Sequence, residues 1–411
     1  MIRFSRYLEE AAGANLHMTH LEDAVLDGGV LGTRNVFQYL QALRDMLGGN
    51  TKAPVKISVK WDGAPAIFAG TDPSDGKFFV AKKGVFNKTP KLYKTNAEID
   101  NEISGDLGAK FKVALAEFSK LGIEGVVQGD FLYTNDDLKT ENIDGEPHIT
   151  FHPNTIVYAI PKNSDLGKQI ERSKIGVVWH TTYRGSTLDS MQASFGKEIS
   201  TKLKEIPTVW HVDAVFKDHS GKVTFTAAET KSFNKLLSDA GRIFRTIKPY
   251  ALNELKDNKE LNQRINTFIN KKVRENSRIQ NVPAAIKDMQ KFINDYYQKE
   301  MDKVKTPVAK ERKAATRDSV LKYFAKGNLK EVTKVFTLYN LLVDAKMIVI
   351  AKLNYSDGLR TLLKTNNGFE VTGQEGFVAI DHLGRNALKL VDRLNFSKAN
   401  FSTEYIKGWQ K

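Results

Sequence analysis

The sequence predicts an α+β fold: a mixed domain built on antiparallel sheets, a small N-terminal helical cap, and a large basic all-helical insert ahead of the last strands. Three observations carry this. Short apolar or alternating runs crowd residues 55–217 and return at 375–393, as strands require. From about Ala228 the apolar spacing between those blocks is helical. The charge is confined to the same stretch: Glu229 to Thr365 holds 29 Lys plus Arg against 15 Asp plus Glu, which equals the +14 of the whole chain.

The cap, over 1–50, follows from the pattern between Tyr7 and Leu47, clearest in NVFQYLQALRDML (Asn35–Leu47), and stops at LGGN. The first part of the mixed domain spans 51–227. Its strands are KISVKWDG, AIFAG and KFFVAKKG, with DPSDG as a turn, then EGVVQGDFLYT (Glu124–Thr134), TIVYAIPK (Thr155–Lys162), IGVVWHTTY (Ile175–Tyr183) and TVWHVDAVFK (Thr208–Lys217). A helix covers Gly108 to Leu121. The insert occupies 228–365, with runs such as FNKLLSDAGRIFRTIK and VTKVFTLYNLLVDAKMIVIAKL. EGFVAID (Glu375–Asp381) and ALKLVDR (Ala387–Arg393) then complete the mixed domain over 366–411.

Composition excludes several classes. With 411 residues, 41% of them hydrophobic, the chain can bury a sizeable core. No apolar run reaches the roughly 18 residues of a membrane span, and MIRFSRYLEEAAGANLHM carries acids where a signal peptide has its apolar core. A cytoplasmic protein, monomeric and without a membrane partner, is expected. The absence of cysteine removes disulfides, thiolate zinc sites and cysteine nucleophiles, leaving covalent chemistry to Lys, Ser, Thr, His or a carboxylate. The segregated positive charge suits a polyphosphate, since each neutralised phosphate releases counterions.

Lys60, Trp61, Asp62 and Gly63 form a K-x-D-G tetrad, which alone reads as a turn between strands. Four further runs follow it in order: QGDFL (Gln128–Leu132), IVYAIPK (Ile156–Lys162), EGFVAI (Glu375–Ile380) and ALKLV (Ala387–Val391). Together they resemble motifs I, III, IIIa, IV and V of the covalent nucleotidyltransferases, the superfamily of ATP-dependent DNA ligases, RNA ligases and mRNA-capping enzymes. The resemblance implies a ligase-like nucleotidyltransferase domain in which Lys60 carries AMP and Asp62 orients the new lysyl-phosphate bond. It further implies that Tyr158 stacks on adenine, that Asp130 and Glu375 are hard oxygen ligands for Mg²⁺, and that Lys389 is a cation for the α-phosphate. Lys82 or Lys83 stands about where many ligases carry a basic residue for the nucleotide, and the sequence does not choose between them. ATP and Mg²⁺ are the implied cofactors.

The chemistry needs such residues. A lysine attacks phosphorus only when deprotonated, so desolvation or nearby positive charge must lower its pKa. The phosphoryl group gains negative charge in the transition state, which calls for fixed cations around it.

The chain also departs from the family pattern. Ala64 and Pro65 stand where ligases carry an Arg, Ser or Asn after K-x-D-G. Val391 replaces the second motif V lysine, for which Arg393 is the candidate substitute. Only 20 residues follow Val391, too few for the usual OB-fold. The insert is then the candidate clamp for nucleic acid, through phosphates rather than bases.

The implied function is an AMP-forming polynucleotide ligase of viral or bacterial repair type. DNA nicks are favoured over RNA, and a mixed DNA/RNA junction is an alternative. The rival from another class is a nucleic-acid-binding protein whose ligase chemistry has decayed. HMTHLED (His17–Asp23) reads as a polar helix start rather than a metal site. His148, His152, His180, His211 and His219 read as strand and loop residues, although His180 or Arg184 in WHTTYRG is placed to line the cleft.

Overall fold

The structure, a computed structural model, describes residues 18–50, 53–216, 223–354, 360–366, 368–381 and 386–408. The expected start of the first helix at Tyr7, together with His17, Lys217 and His219, lies outside these. The chain opens with α1 (Ala24–Leu47), interrupted at Gly29, where φ is +58°. Strands β1 (Val55–Lys60), β2 (Ala66–Thr71) and β3 (Phe78–Ala81) precede α2 (Asn96–Glu102) and α3 (Gly105–Phe118). Next come β4 (Val126–Thr134), β5 (Lys139–Ile143), β6 (Glu146–Phe151), β7 (Ile156–Pro161), α4 (Asp165–Arg172), β8 (Ile175–Arg184), β9 (Gln192–Phe195) and β10 (Val209–Asp213). The helical stretch runs through α5 (Ala227–Thr246), α6 (Pro249–Asp257), α7 (Lys259–Arg274), α8 (Val282–Asp302), α9 (Pro307–Lys322) and α10 (Leu329–Leu353). Strands β11 (Arg360–Thr365), β12 (Gly368–Val371), β13 (Gly376–Asp381) and β14 (Ala387–Leu390) are followed by α11 (Arg393–Phe401).

Among the described residues the strands form three sheets, ordered β1-β13-β14, β10-β8-β4-β2-β3 with β9 beside β8, and β12-β11-β7-β6-β5. Every pairing is antiparallel except that of β10 with β8. The α+β class therefore holds. Among the described residues no helix is long and apolar enough to cross a membrane.

The first sheet is short, and its alternation decides what it does. Val55, Ile57 and Val59 of β1, Phe377 and Ala379 of β13, and Leu388 and Leu390 of β14 turn toward the helices. The intervening residues, Lys60 and Lys389 among them, therefore lie on the opposite face. Helix α10 is the centre of the helical layer, and one face of it is buried from Val332 to Leu353.

Two expectations about boundaries are corrected. The N-terminal cap and the insert share one core: Val36, Leu40 and Leu43 of α1 cluster with Phe233, Leu252, Ile265 and Leu342 and with the back of the first sheet. The apolar positions of α1 are buried by the helical stretch and the first sheet, so it joins the larger apolar body. The helical stretch also ends at Leu353 rather than at 365, because RTLLKT is β11, pairing Leu362 with Val157 of β7. Short apolar runs do not distinguish buried helix from strand. The β5–β6 hairpin lay outside the expected elements as well; its turn is Asp144-Gly145, with φ of 53° and 85°, the combination that a two-residue hairpin loop demands.

Candidate active site

Lys60 is the last residue of β1 and pairs with Gly376 of β13, so the residue before Gly376 falls beside it. That residue is Glu375, whose carboxylate is in direct contact with Lys60 Nζ; the side chains are 29% and 8% exposed. Lys389 of β14 lies across from Val378, and Val378 across from Ser58, which puts both lysines on one face of the sheet. Glycine at 376 is a matter of room: a Cβ there would sit 2.7 Å from Val391 Cγ2 and 2.8 Å from Leu390 O.

The turn after Lys60 joins this sheet to the next one. Gly63 passes so close to β4 that a Cβ would lie 2.6 Å from Asp130 Cβ and 2.8 Å from Phe131 O. Ala64 N–H donates to Phe131 O (3.0 Å), and Phe131 N–H donates to Pro65 O (3.1 Å). Ala64 and Pro65, the positions that depart from the family pattern, thus carry main-chain pairing with β4. Asp62 faces the start of β7. Its carboxylate, 2% exposed at the residue level, accepts from Asn154 Nδ2, Thr155 N–H and Ile156 N–H, each at 2.6 Å, and fastens the turn to the start of β7.

Tyr158 of β7 supports the turn from below. Its hydroxyl accepts from Asp62 N–H at 2.7 Å, and its ring stacks on Trp61 (5.0 Å) and Phe151 (5.2 Å). The side chain is wholly buried, so the residue expected to stack on adenine has no open face. The neighbour of β4 is β8, not β7, and β8 delivers His180 instead: Nε2 stands 3.8 Å from Asp130 Oδ1, and Nδ1 is 2.7 Å from Thr181 Oγ1. Lys82 and Lys83 follow β3, whose Ala81 pairs with Phe68, while Ala66 pairs with Asp130. The chain therefore leaves β3 at the Asp130 end of the sheet. No ion pair or hydrogen bond among the described residues joins either lysine to Lys60, Asp130 or Glu375, and Lys82 acts electrostatically on Glu102.

Arg393 does not replace the missing lysine of ALKLV. The strand stops at Leu390, and Arg393 opens α11 facing the helices: NH1 reaches the Asp23 carboxylate at 2.9 and 3.0 Å, and NH2 reaches Asn270 Oδ1 at 2.6 Å. Asp23 belongs to HMTHLED, whose described residues, 18–23, form a buried ion network and an extra edge for the sheet rather than a plain helix start. Glu22 pairs with Lys346 at 2.7 Å, each side chain 1% exposed. Lys389 N–H donates to Thr19 O, and Leu21 N–H donates to Lys389 O.

Electrostatics separate these groups. Burial pushes the Asp130 and Glu375 carboxyls up to about 7, against the opposing pull of Lys60; Asp62 adds to both rises. Burial, then repulsion from Lys60, moves the Lys389 ammonium down, with Glu375 opposing. Burial and Lys60 push His180 down to about 4, so its imidazole is neutral at pH 7. Two buried carboxyls so raised gain from added positive charge, and hard oxygen donors of this kind fit Mg²⁺. Among the described residues no group of three or more His, Asp or Glu could hold a metal by itself, so Mg²⁺ would complete its shell with phosphate and water, as it commonly does.

Lys60, Asp130, Glu375 and Lys389, singled out from four separate stretches of sequence, thus act on one another in one cleft, while Asp62 and Tyr158 brace it. Phe396 of α11, 5.9 Å from Lys60 Nζ to its ring centre, had no sequence signal, because α11 itself was not expected. No curated protein and no solved structure matches the chain. A family model spans residues 15–405, and on that match the chain belongs to DUF6267, a family of unknown function.

Proposed function

We propose that the protein is an ATP-dependent polynucleotide ligase that works through a lysyl-AMP intermediate, with a nicked DNA duplex preferred over RNA. The observation that carries this reading is the cleft itself: Lys60 in contact with Glu375, with Asp130, Lys389 and neutral His180 around it. The Lys60 amine, its proton lost through Glu375 to solvent, attacks the α-phosphorus of ATP; a P–N bond forms and the bond to the pyrophosphate oxygen breaks. A 5′-phosphate oxygen then takes the AMP, breaking the P–N bond and returning a proton to Lys60. A 3′-hydroxyl oxygen finally attacks the 5′-phosphorus, its proton passes to solvent, and AMP leaves. Lys389 offsets charge on the transferring phosphoryl group, and Asp62 holds the turn that aims Lys60. Asp130 and Glu375 would hold Mg²⁺, which supplies charge to the phosphates and improves the leaving group.

The helical layer supports a nucleic-acid substrate. Lys287, Lys291 and Lys299 of α8 and Lys310 and Arg312 of α9 are exposed, and α9 buries Val320 alone. Such a surface meets phosphates without reading sequence. Incubation with Mg²⁺ and α-labelled ATP or GTP tests the reading: label from ATP that disappears in Lys60→Ala is expected. A protein that takes label from neither nucleotide overturns it, and leaves a nucleic-acid-binding protein with lost ligase chemistry.

A further inference from the structure

Beside the Lys60–Glu375 pair is a cavity of about 260 Å³, enclosed by α10, α11 and the turn from β12 into β13. Its walls differ from the rest of this basic chain. Among the described residues no Lys or Arg lines it, although the chain carries 62, whereas Asp62, Glu375 and Asp392 do. The amides of Asn354, Gln374 and Asn395 and the ring of Phe396 make up much of the remainder. Gln374 Oε1 is buried and has no hydrogen-bond partner among the described residues, an acceptor that waits for an N–H or O–H donor.

This chemistry discriminates. A phosphate has no cation to meet there and faces carboxylates, so the cavity repels it. A nucleoside brings what the walls lack: hydroxyl and amino donors for Gln374 and Glu375, and a flat base for Phe396. The volume falls below the roughly 300–1,000 Å³ of drug-sized sites, which suits one nucleoside and not a longer stretch. Of the two ends at a nick, one carries a phosphate and the other only a hydroxyl.

We propose that this cavity receives the terminal nucleoside of the 3′-hydroxyl strand, and that Gln374 and Phe396 position that end beside Lys60 and Glu375. The proposal rests on the ligase reading and deepens it by assigning one substrate end to a place in the fold.

The test uses the full chain with two variants, Gln374→Leu, which keeps the shape, and Phe396→Ala, with Phe396→Tyr as the conservative rescue. Two readouts are compared: Lys60 labelling from ATP, and sealing of a nicked duplex whose 3′-terminal residue is either a normal nucleoside or an abasic sugar. Sealing of the normal nick should fall relative to labelling by roughly tenfold or more, the range for losing one base–aromatic stack, with adenylated 5′ ends accumulating. Phe396→Tyr should restore it, and on the abasic nick wild type and variants should converge. Sealing that falls only in step with labelling, or equally on both nicks, overturns the proposal. A separate arm measures binding of 2-aminopurine riboside by fluorescence. Binding that weakens in Phe396→Ala and resists competition by inorganic phosphate supports the cavity even if Lys60 takes no label, which keeps its failure distinct from that of the ligase reading. Riboside binding that Phe396→Ala leaves unchanged, or that phosphate displaces, counts against it.

Discussion

Two clusters of charge lie against opposite faces of the β1-β13-β14 sheet, built from the same kinds of residue. On the helical side, Glu22 and Asp23 meet Lys346 and Arg393; on the other, Glu375 and Asp130 meet Lys60 and Lys389. Burial acts against the Glu22 carboxylate, yet Lys346, with His20 and Arg393, outweighs it and holds its pKa below the usual range, while Asp23 rises to about 6 against the pull of Arg393. In the cleft the balance goes the other way for both carboxyls, which rise to about 7. The helical-side cluster is compensated from within and ties three parts of the chain together. In the cleft burial outweighs the pull of Lys60, the condition in which a metal–nucleotide complex has most to offer the two carboxyls.

That contrast can be broken by substitution. Lys60→Ala should abolish nucleotide labelling, while Lys346→Met should leave labelling per folded molecule largely intact; equal loss in both would erase the distinction between the clusters. The second variant should instead unfold easily, because removing one partner of a buried pair strands the other at a cost of about 3–5 kcal/mol in denaturant titrations. Replacing both partners, Glu22→Leu with Lys346→Met, should recover most of that loss.

A smaller effect sharpens the cleft side. A carboxyl whose pKa is higher folded than unfolded binds more protons in the folded state, so its contribution is fully present below about pH 4 and is lost as pH rises toward 7. Asp130→Asn removes that loss. Without Mg²⁺ it should be more stable than wild type at pH 8 by roughly 1–4 kcal/mol, each pH unit of displacement being worth about 1.4 kcal/mol, and should show no such gain at pH 4. Equal gains at both values would mean that Asp130 ionises as an ordinary surface carboxyl. Gly63→Ala should cost about 1–3 kcal/mol in thermal unfolding, since the methyl group meets Asp130 and the backbone of Phe131.

How much of this was legible depended on distance along the chain. The strands that carry the site were readable from alternation, and K-x-D-G with EGFVAI and ALKLV marked Lys60, Glu375 and Lys389 before any contact was known. Sheet order was not readable: nothing local says that β4 takes β8 as its neighbour and so brings His180 beside Asp130, or that Tyr158 of β7 is buried under Trp61. Arg393 was misplaced for a related reason. Continuing the period of two from Lys389 brings 391 and 393 to its face, but the strand ends at Leu390 and α11 turns the guanidinium to the helices. The segment Thr19–Leu21 gave no signal at all, because its strand pairing is made only by its partner, Lys389.

The pairing of Lys60 with Gly376 also sets a schedule for synthesis. Helix α1 and helices α5 to α10, which share one core, all precede β13 in the chain and can assemble while translation continues, whereas β1 must wait for β13 to emerge. A ribosome that stops within the helical stretch would therefore release a body with α1 and its partners in place but no cleft. On the proposed chemistry, nucleotide transfer becomes available only once β13 has been made, so that products truncated within the helical stretch carry no partial activity.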